Sequence, residues 1–165
     1  MVQVVPIDRD NWRATLEVRV QPEKLPWVAS REPGALMILA KSYVRGDFQT
    51  WHPLAVMDGD TVIGVLAIGT AGDVAWLHHF LIDERSQGKG FGRGAMLASA
   101  RWLEAEHPSV TRLGLCVLPE NEVAFGLYRS LGFERIGETL DGQWITVTRV
   151  RDMLDPEHGS PVKPG

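Results

Sequence analysis

Gln87-Gly88-Lys89-Gly90-Phe91-Gly92-Arg93-Gly94 sets four glycines at alternate positions. The apolar run Trp76-Leu77-His78-His79-Phe80-Leu81-Ile82 precedes it, and a helix-patterned segment beginning at Ala95 follows. Strand, glycine-rich loop and helix in that order make a phosphate cradle. Glycine lets the backbone approach a ligand, and the first N–H groups of the helix point at it with the helix dipole behind them. Lys89 and Arg93 add positive charge. The nucleotide P-loop is excluded, because Lys89 is followed by Gly90 and not by Ser or Thr. The dinucleotide fingerprint fits poorly. Gly88 and Gly90 are followed at the required spacing by Arg93, and the looser register Gly90, Gly92, Ala95 sits mid-chain after several strands. The structural alternative is a flexible surface loop.

The rest of the chain bounds what this loop can serve. Its 165 residues are 44% hydrophobic and 23% charged, ordinary composition for one globular domain with a full core. The expected division is a single domain over 1–154 and a disordered tail over 155–165, rich in Pro and Gly. A net charge of -4 argues against nucleic acid as a partner. No apolar run has membrane length, and Asp8, Arg9 and Asp10 come too early for a signal peptide, so the reading is a cytoplasmic protein with no membrane partner. The single cysteine, Cys116, excludes an internal disulfide framework, and no metal is expected because no histidine pair has zinc-helix spacing.

Taken in order, residues 2–7 read as a strand. Asp8 or Asp10 then caps a helix to about residue 18, broken by Pro22 and Pro26. Pro33 opens a second helix, and Gly46 falls in a loop before a strand over 52–57. Asp58-Gly59-Asp60 turns that strand back into 61–68, and 74–82 feeds the glycine loop. The helix after the loop runs to about residue 106. A strand over 111–118, a helix opened by Asn121 and stopped by Gly132, and a hairpin over 133–150 complete the order. The fold class is therefore α/β (α+β): a mixed, mostly antiparallel sheet of about seven strands flanked by about four helices, with one parallel crossover between 74 and 118.

Two segments match a known family. Gln87-x-x-Gly90-x-Gly92 resembles the acyl-coenzyme A signature of the GNAT superfamily of N-acetyltransferases. Asn121-x-x-Ala124-x-x-Leu127-Tyr128-x-x-x-Gly132-Phe133 is similar to that superfamily's second element, at the expected separation. The resemblance implies acetyl-coenzyme A as cofactor and coenzyme A as product. It implies that the N–H groups of Gly88, Lys89, Gly90, Gly92 and Arg93 seat the pyrophosphate, with Gln87 in the same signature. Phe80, Leu81 and Ile82 would pair with the pantetheine arm as if it were a strand, and Asn121 would contact that arm. Tyr128 would protonate the departing thiolate, its alternative being an aromatic packed in the core. The strands from 74 and 111 would splay apart to admit the thioester. Asp58-Gly59-Asp60, Trp76-Leu77-x-x-Phe80-Leu81-Ile82-Asp83 and Gln87-Gly88-Lys89-Gly90 are also similar to bacterial spermine/spermidine acetyltransferases. One departure is chemical: those enzymes carry an acid after the aromatic–Leu pair, where this chain has His78 and His79.

An alkylamine is mostly ammonium at neutral pH, so a base is needed before it can attack a thioester. Side chains alternate along a strand, so one of His78 and His79 should face the cleft. His78 is the choice, because it takes the place of the acid; a packed histidine is the alternative. Glu17, Glu32, Asp73 and Glu84 are candidate acids for a polycation, and Trp27, Trp51 and Trp76 candidate cation–π faces. Cys116, on an apolar strand, is expected to be buried and inert. The expected activity is acetyl transfer to a primary amine of a small substrate, such as a polyamine, by direct attack. An aminoglycoside-like acceptor, a protein N-terminus and a coenzyme A-binding sensor without turnover are the alternatives. A homodimer is compatible with the resemblance.

Overall fold

A computed structural model describes residues 1–28, 33–44 and 49–155. Glu32, Gly46, His158 and the tail from 156 onward lie outside the described residues. The strands are β1 (Val2–Pro6), β2 (Thr50–Asp58), β3 (Thr61–Ala71), β4 (Val74–Ile82), β5 (Arg112–Val117), β6 (Glu134–Glu138) and β7 (Trp144–Arg149). They form one seven-stranded sheet in the order β1-β2-β3-β4-β5-β7-β6. Every neighbouring pair is antiparallel except β4 and β5, joined by the crossover helix α4 (Phe91–Glu106).

Alternation along the strands gives the sheet two apolar faces. One carries Leu54, Leu66, Leu77, Leu113 and Leu115 against α4, α5 (Glu122–Ser130) and α6 (Val150–Leu154). The other carries Val65, Ala67 and Leu81 against the N-terminal helices. These are α1 (Trp12–Thr15), α2 (Leu25–Val28) and α3 (Gly34–Val44). The described residues thus hold six α-helices where the sequence reading gave about four; α2 and α6 are too short for a periodic signal.

Two helix boundaries differ from the sequence reading. α1 is one turn, not a helix from Asp8 or Asp10 to residue 18. The Asp8 carboxylate accepts from the Asp10 and Asn11 N–H groups at 2.8 and 3.1 Å, shaping the entry rather than capping the helix. Beyond Thr15 the bonds tighten to i→i−3, and Val18 and Val20, two apart, are both buried in the second core. A spacing of two suits extended chain and not helix. At the other boundary α4 begins at Phe91, four residues before Ala95, and runs through two glycines. Each glycine costs about 1 kcal/mol in a helix interior. Close packing accounts for Gly94, where a Cβ would lie 2.9 Å from Val2 Cγ2 of β1; one on Gly92 would meet Leu127 of α5 at 3.5 Å, an ordinary contact.

Candidate active site

The site arises where β4 and β5 stop pairing. Their ladder covers only Val74↔Arg112, Ala75↔Leu113 and Trp76↔Gly114. At the last step the Trp76 ring lies over Gly114, where a Cβ would sit 2.6 Å from ring atom Cζ3. From there β4 continues along β3 alone and β5 along β7 alone. The strands from 74 and 111 splay as expected. The wedge opens into a cavity of about 490 Å³ that runs from the glycine loop to Tyr128.

A bulge in β4 decides which side chains reach it. Leu81 pairs with Val65 and His78 with Ala67, so His79 and Phe80 together stand opposite Leu66. His79 has φ 52°, the one positive φ on a non-glycine residue among those described. Such a conformation is strained for a side chain bearing a Cβ and persists only where the surroundings impose it. The bulge breaks the alternation: Leu77 and Phe80 share the α4 face, three positions apart. His79 lines the cavity and His78 does not. The His78 ring is stacked on Trp51 with centroids 4.6 Å apart, and its Nε2 lies 2.9 Å from Gln49 Oε1. Of the two histidines it is thus His79 that lines this cavity, since regular alternation from Leu77 turns His78 to the Trp51 face and the bulge begins only after it. His79 Nε2 lies 2.9 Å from Lys41 Nζ, within hydrogen-bond distance.

Phe80, Leu81, Ile82, Gln87, Gly88, Gly92, Asn121 and Tyr128 also line the cavity. Gln87 Nε2 donates to the Ile82 carbonyl at 2.9 Å and folds the loop back on the end of β4. Gly88 and Gly90 have φ 74° and 80°, and a Cβ on either would meet nothing within 4 Å. Glycine is required there by backbone conformation, and the room in front of the loop is open. Gly90 is the N-cap of α4, so the unbonded first-turn N–H groups of that helix follow directly. Lys89, Gly90 and Arg93 stand outside the cavity lining. Lys89 Nζ donates to the Arg85 carbonyl and Arg93 Nη1 to Ser130 Oγ, both at 2.9 Å. Asn121 caps α5, its Oδ1 accepting from the Ala124 N–H at 3.3 Å. Tyr128 is 8% exposed and packs on Phe133 with ring centroids 5.7 Å apart; burial pushes its phenol well above the usual range. The residues present thus fit an extended thioester carrying a diphosphate: an open loop, a strand edge without a neighbour, and a buried phenol beyond it.

Lys24 was not singled out in the sequence and the exposure of Cys116 was missed, whereas Trp27, a candidate cation–π face, does line the cavity. Cys116 was expected to be buried; it is exposed and lines the cavity, because it points away from the face of Leu115 and Val117. Partial burial and the Asp141 carboxylate raise its pKa, so it stays a thiol at neutrality. Lys24 and Trp27 reach the cavity from the N-terminal segment. Asp83, 2% exposed, ties that segment down. Its carboxylate accepts from the Arg19 N–H at 3.1 Å and from Arg85 Nε at 2.7 Å. Burial alone would raise its pKa, but the hydrogen bonds from the Arg85 side chain and the Arg19 and Arg85 N–H groups bring it below the ordinary carboxylate value. Of the candidate acids, Glu17, Asp73 and Glu84 do not line the cavity; Asp73 pairs with Arg112 at 3.1 Å, at the closed end of the wedge.

Comparison with known proteins agrees with this geometry. Residues 8–133 match the acetyltransferase (GNAT) family. A stretch of 63 residues is 41% identical to the spermine/spermidine N(1)-acetyltransferase of Bacillus subtilis (strain 168); it spans 38% of this chain and 41% of that protein. The crystal structure of aminoglycoside acetyltransferase AAC(6')-Ib in complex with coenzyme A superposes with a TM-score of 0.74 at 20% identity, over 95% of this chain and 99% of that one. Spermidine N-acetyltransferase from Vibrio cholerae, in complex with coenzyme A and spermine, gives 0.69 at 16% identity over 93% and 98%. With its signature loop, splayed strands and matched length together, the chain belongs to the GNAT family of acetyl-coenzyme A-dependent N-acetyltransferases.

Proposed function

We propose that the protein moves the acetyl group of acetyl-coenzyme A to a primary amine of a small acceptor by direct attack. The observation that carries this reading is the continuity of one cavity, from the glycine loop past the unpaired edge of β4 to Tyr128. Acetyl-coenzyme A supplies the activated acyl group. The chain supplies position and protons. The bulge at His79 and Phe80 leaves backbone out of the β3–β4 ladder, free to bond a ligand in the wedge. Tyr128 stays protonated and donates to the departing sulfur. His79, on the wall, is better placed than His78 to take a proton from the incoming ammonium. Its hydrogen bond to Lys41 must be exchanged for the amine when it does so. Cys116, held as a thiol, is a poor nucleophile, which favours direct attack over an acetyl-cysteine route.

The test is thioester consumption with acetyl-coenzyme A across polyamines, aminoglycosides, amino acids and peptide N-termini. An acetylated primary amine in at least one arm is the expected result. Coenzyme A binding with no consumption in any arm would replace the enzyme by a sensor. With the active amine in hand, His79→Ala should flatten the acid limb of the pH–rate profile while His78→Ala leaves it in place.

A further inference from the structure

A glycine loop and a helix N-terminus provide dipoles for a diphosphate but no full positive charge. The motif's own cations are engaged elsewhere: Lys89 on the Arg85 carbonyl and Arg93 on Ser130, both off the cavity wall. One lysine does stand on that wall. Lys24 closes the 3₁₀ turn Pro22–Lys24 and lines the same cavity as Gly88 and Gly92. Its Nζ lies 3.3 Å from Oε1 of Gln87, the first residue of the signature, although the two are 63 positions apart in the chain. Two bonds carry it there. The Arg19 N–H donates to Asp83 at 3.1 Å, and the Glu84 N–H donates to the Arg19 carbonyl at 2.8 Å. Residue 19 is thereby fastened beside the end of β4, just before the loop, and the proline-initiated turn delivers Lys24 to the cleft. Its hydrogen-bond partner is a neutral amide, and among the described residues no carboxylate pairs with it.

We propose that Lys24 is the cation of the diphosphate seat, gripping coenzyme A beside Gln87 at the start of the glycine loop. This rests on the coenzyme A reading of the cavity. An ammonium beside a loop of N–H donors complements a dianion, and a charge-assisted bond to phosphate is about twice as strong as a neutral one.

The experiment is calorimetric binding of coenzyme A, dephospho-coenzyme A and pantetheine to the wild-type chain and to Lys24→Gln and Lys24→Arg. Lys24→Gln should weaken coenzyme A and dephospho-coenzyme A alike, by about tenfold. It should leave pantetheine unchanged and flatten the salt dependence of binding. Lys24→Arg should recover most of the loss, which separates a charge effect from a folding defect. Unchanged coenzyme A affinity in Lys24→Gln overturns the proposal. Equal loss for pantetheine also overturns it, by making Lys24 a wall of the arm. Loss for coenzyme A alone reassigns the lysine to the 3′-phosphate. A wild-type chain that does not distinguish coenzyme A from pantetheine would instead sink the reading of the loop as a diphosphate seat.

Discussion

Tyr128 illustrates how one buried group acts on both chemistry and stability. Burial raises its pKa, so the phenol is neutral throughout the range in which amines attack thioesters. A thiol ionises near ~8.5 and an unperturbed phenol near ~10, so complete transfer to a thiolate is uphill in the resting site. In the proposed reaction Tyr128 is accordingly a hydrogen-bond donor whose proton would move only as the carbon–sulfur bond lengthens. Tyr128→Phe should lower turnover by about 10²-fold and change coenzyme A affinity far less. Steady-state rates and calorimetry on the same preparation check this. The raised pKa also has a sign for folding: its stabilisation is whole below the unfolded value of about 10 and is lost as pH rises through the folded value. Urea midpoints of the wild-type chain should fall in that alkaline window, and those of Tyr128→Phe should fall less.

Among the elements, β4 carries the site, and its neighbours shape it by what they omit. Gly114 on β5 has no side chain where the Trp76 ring lies, and this contact stands at the last paired step before the strands part. Gly114→Ala places a methyl group within 2.9 Å of three ring atoms. Displacing that ring should cost about 1–3 kcal/mol of stability by overpacking, read from denaturant unfolding. If the ring moves toward the wedge, coenzyme A affinity falls as well. α4 follows the same logic from the other side of the loop. Gly94 trades helix propensity for close approach to β1, and so fixes where the first N–H groups of the helix sit.

For the molecule as a whole, the open wedge means that the two halves of the sheet meet through only three residue pairs at the β4–β5 seam. A ligand that fills the wedge would bridge them. Saturating coenzyme A, at about 100 times its dissociation constant, should add about 2.7 kcal/mol to stability by mass action. Hydrogen exchange should slow most at 77–82, where β4 lacks a neighbour on the wedge side. Stabilisation without protection there would place the ligand elsewhere.

The order of elements and the glycine loop were legible in the sequence. So was the element from Asn121 to Phe133, because caps, turns and signature spacings act over a few residues of chain. Pro33, the Asp58–Asp60 turn and Gly132 each mark a boundary near the one the structure has. The walls of the site were not legible. The choice between His78 and His79 depends on which face of β4 turns to Trp51. The exposure of Cys116 depends on which face of β5 meets the helices. The arrival of Lys24 depends on hydrogen bonds between segments more than sixty residues apart. Local chemistry wrote the motif into the sequence; the partners that complete it are decided by long-range packing, which only the tertiary structure expresses.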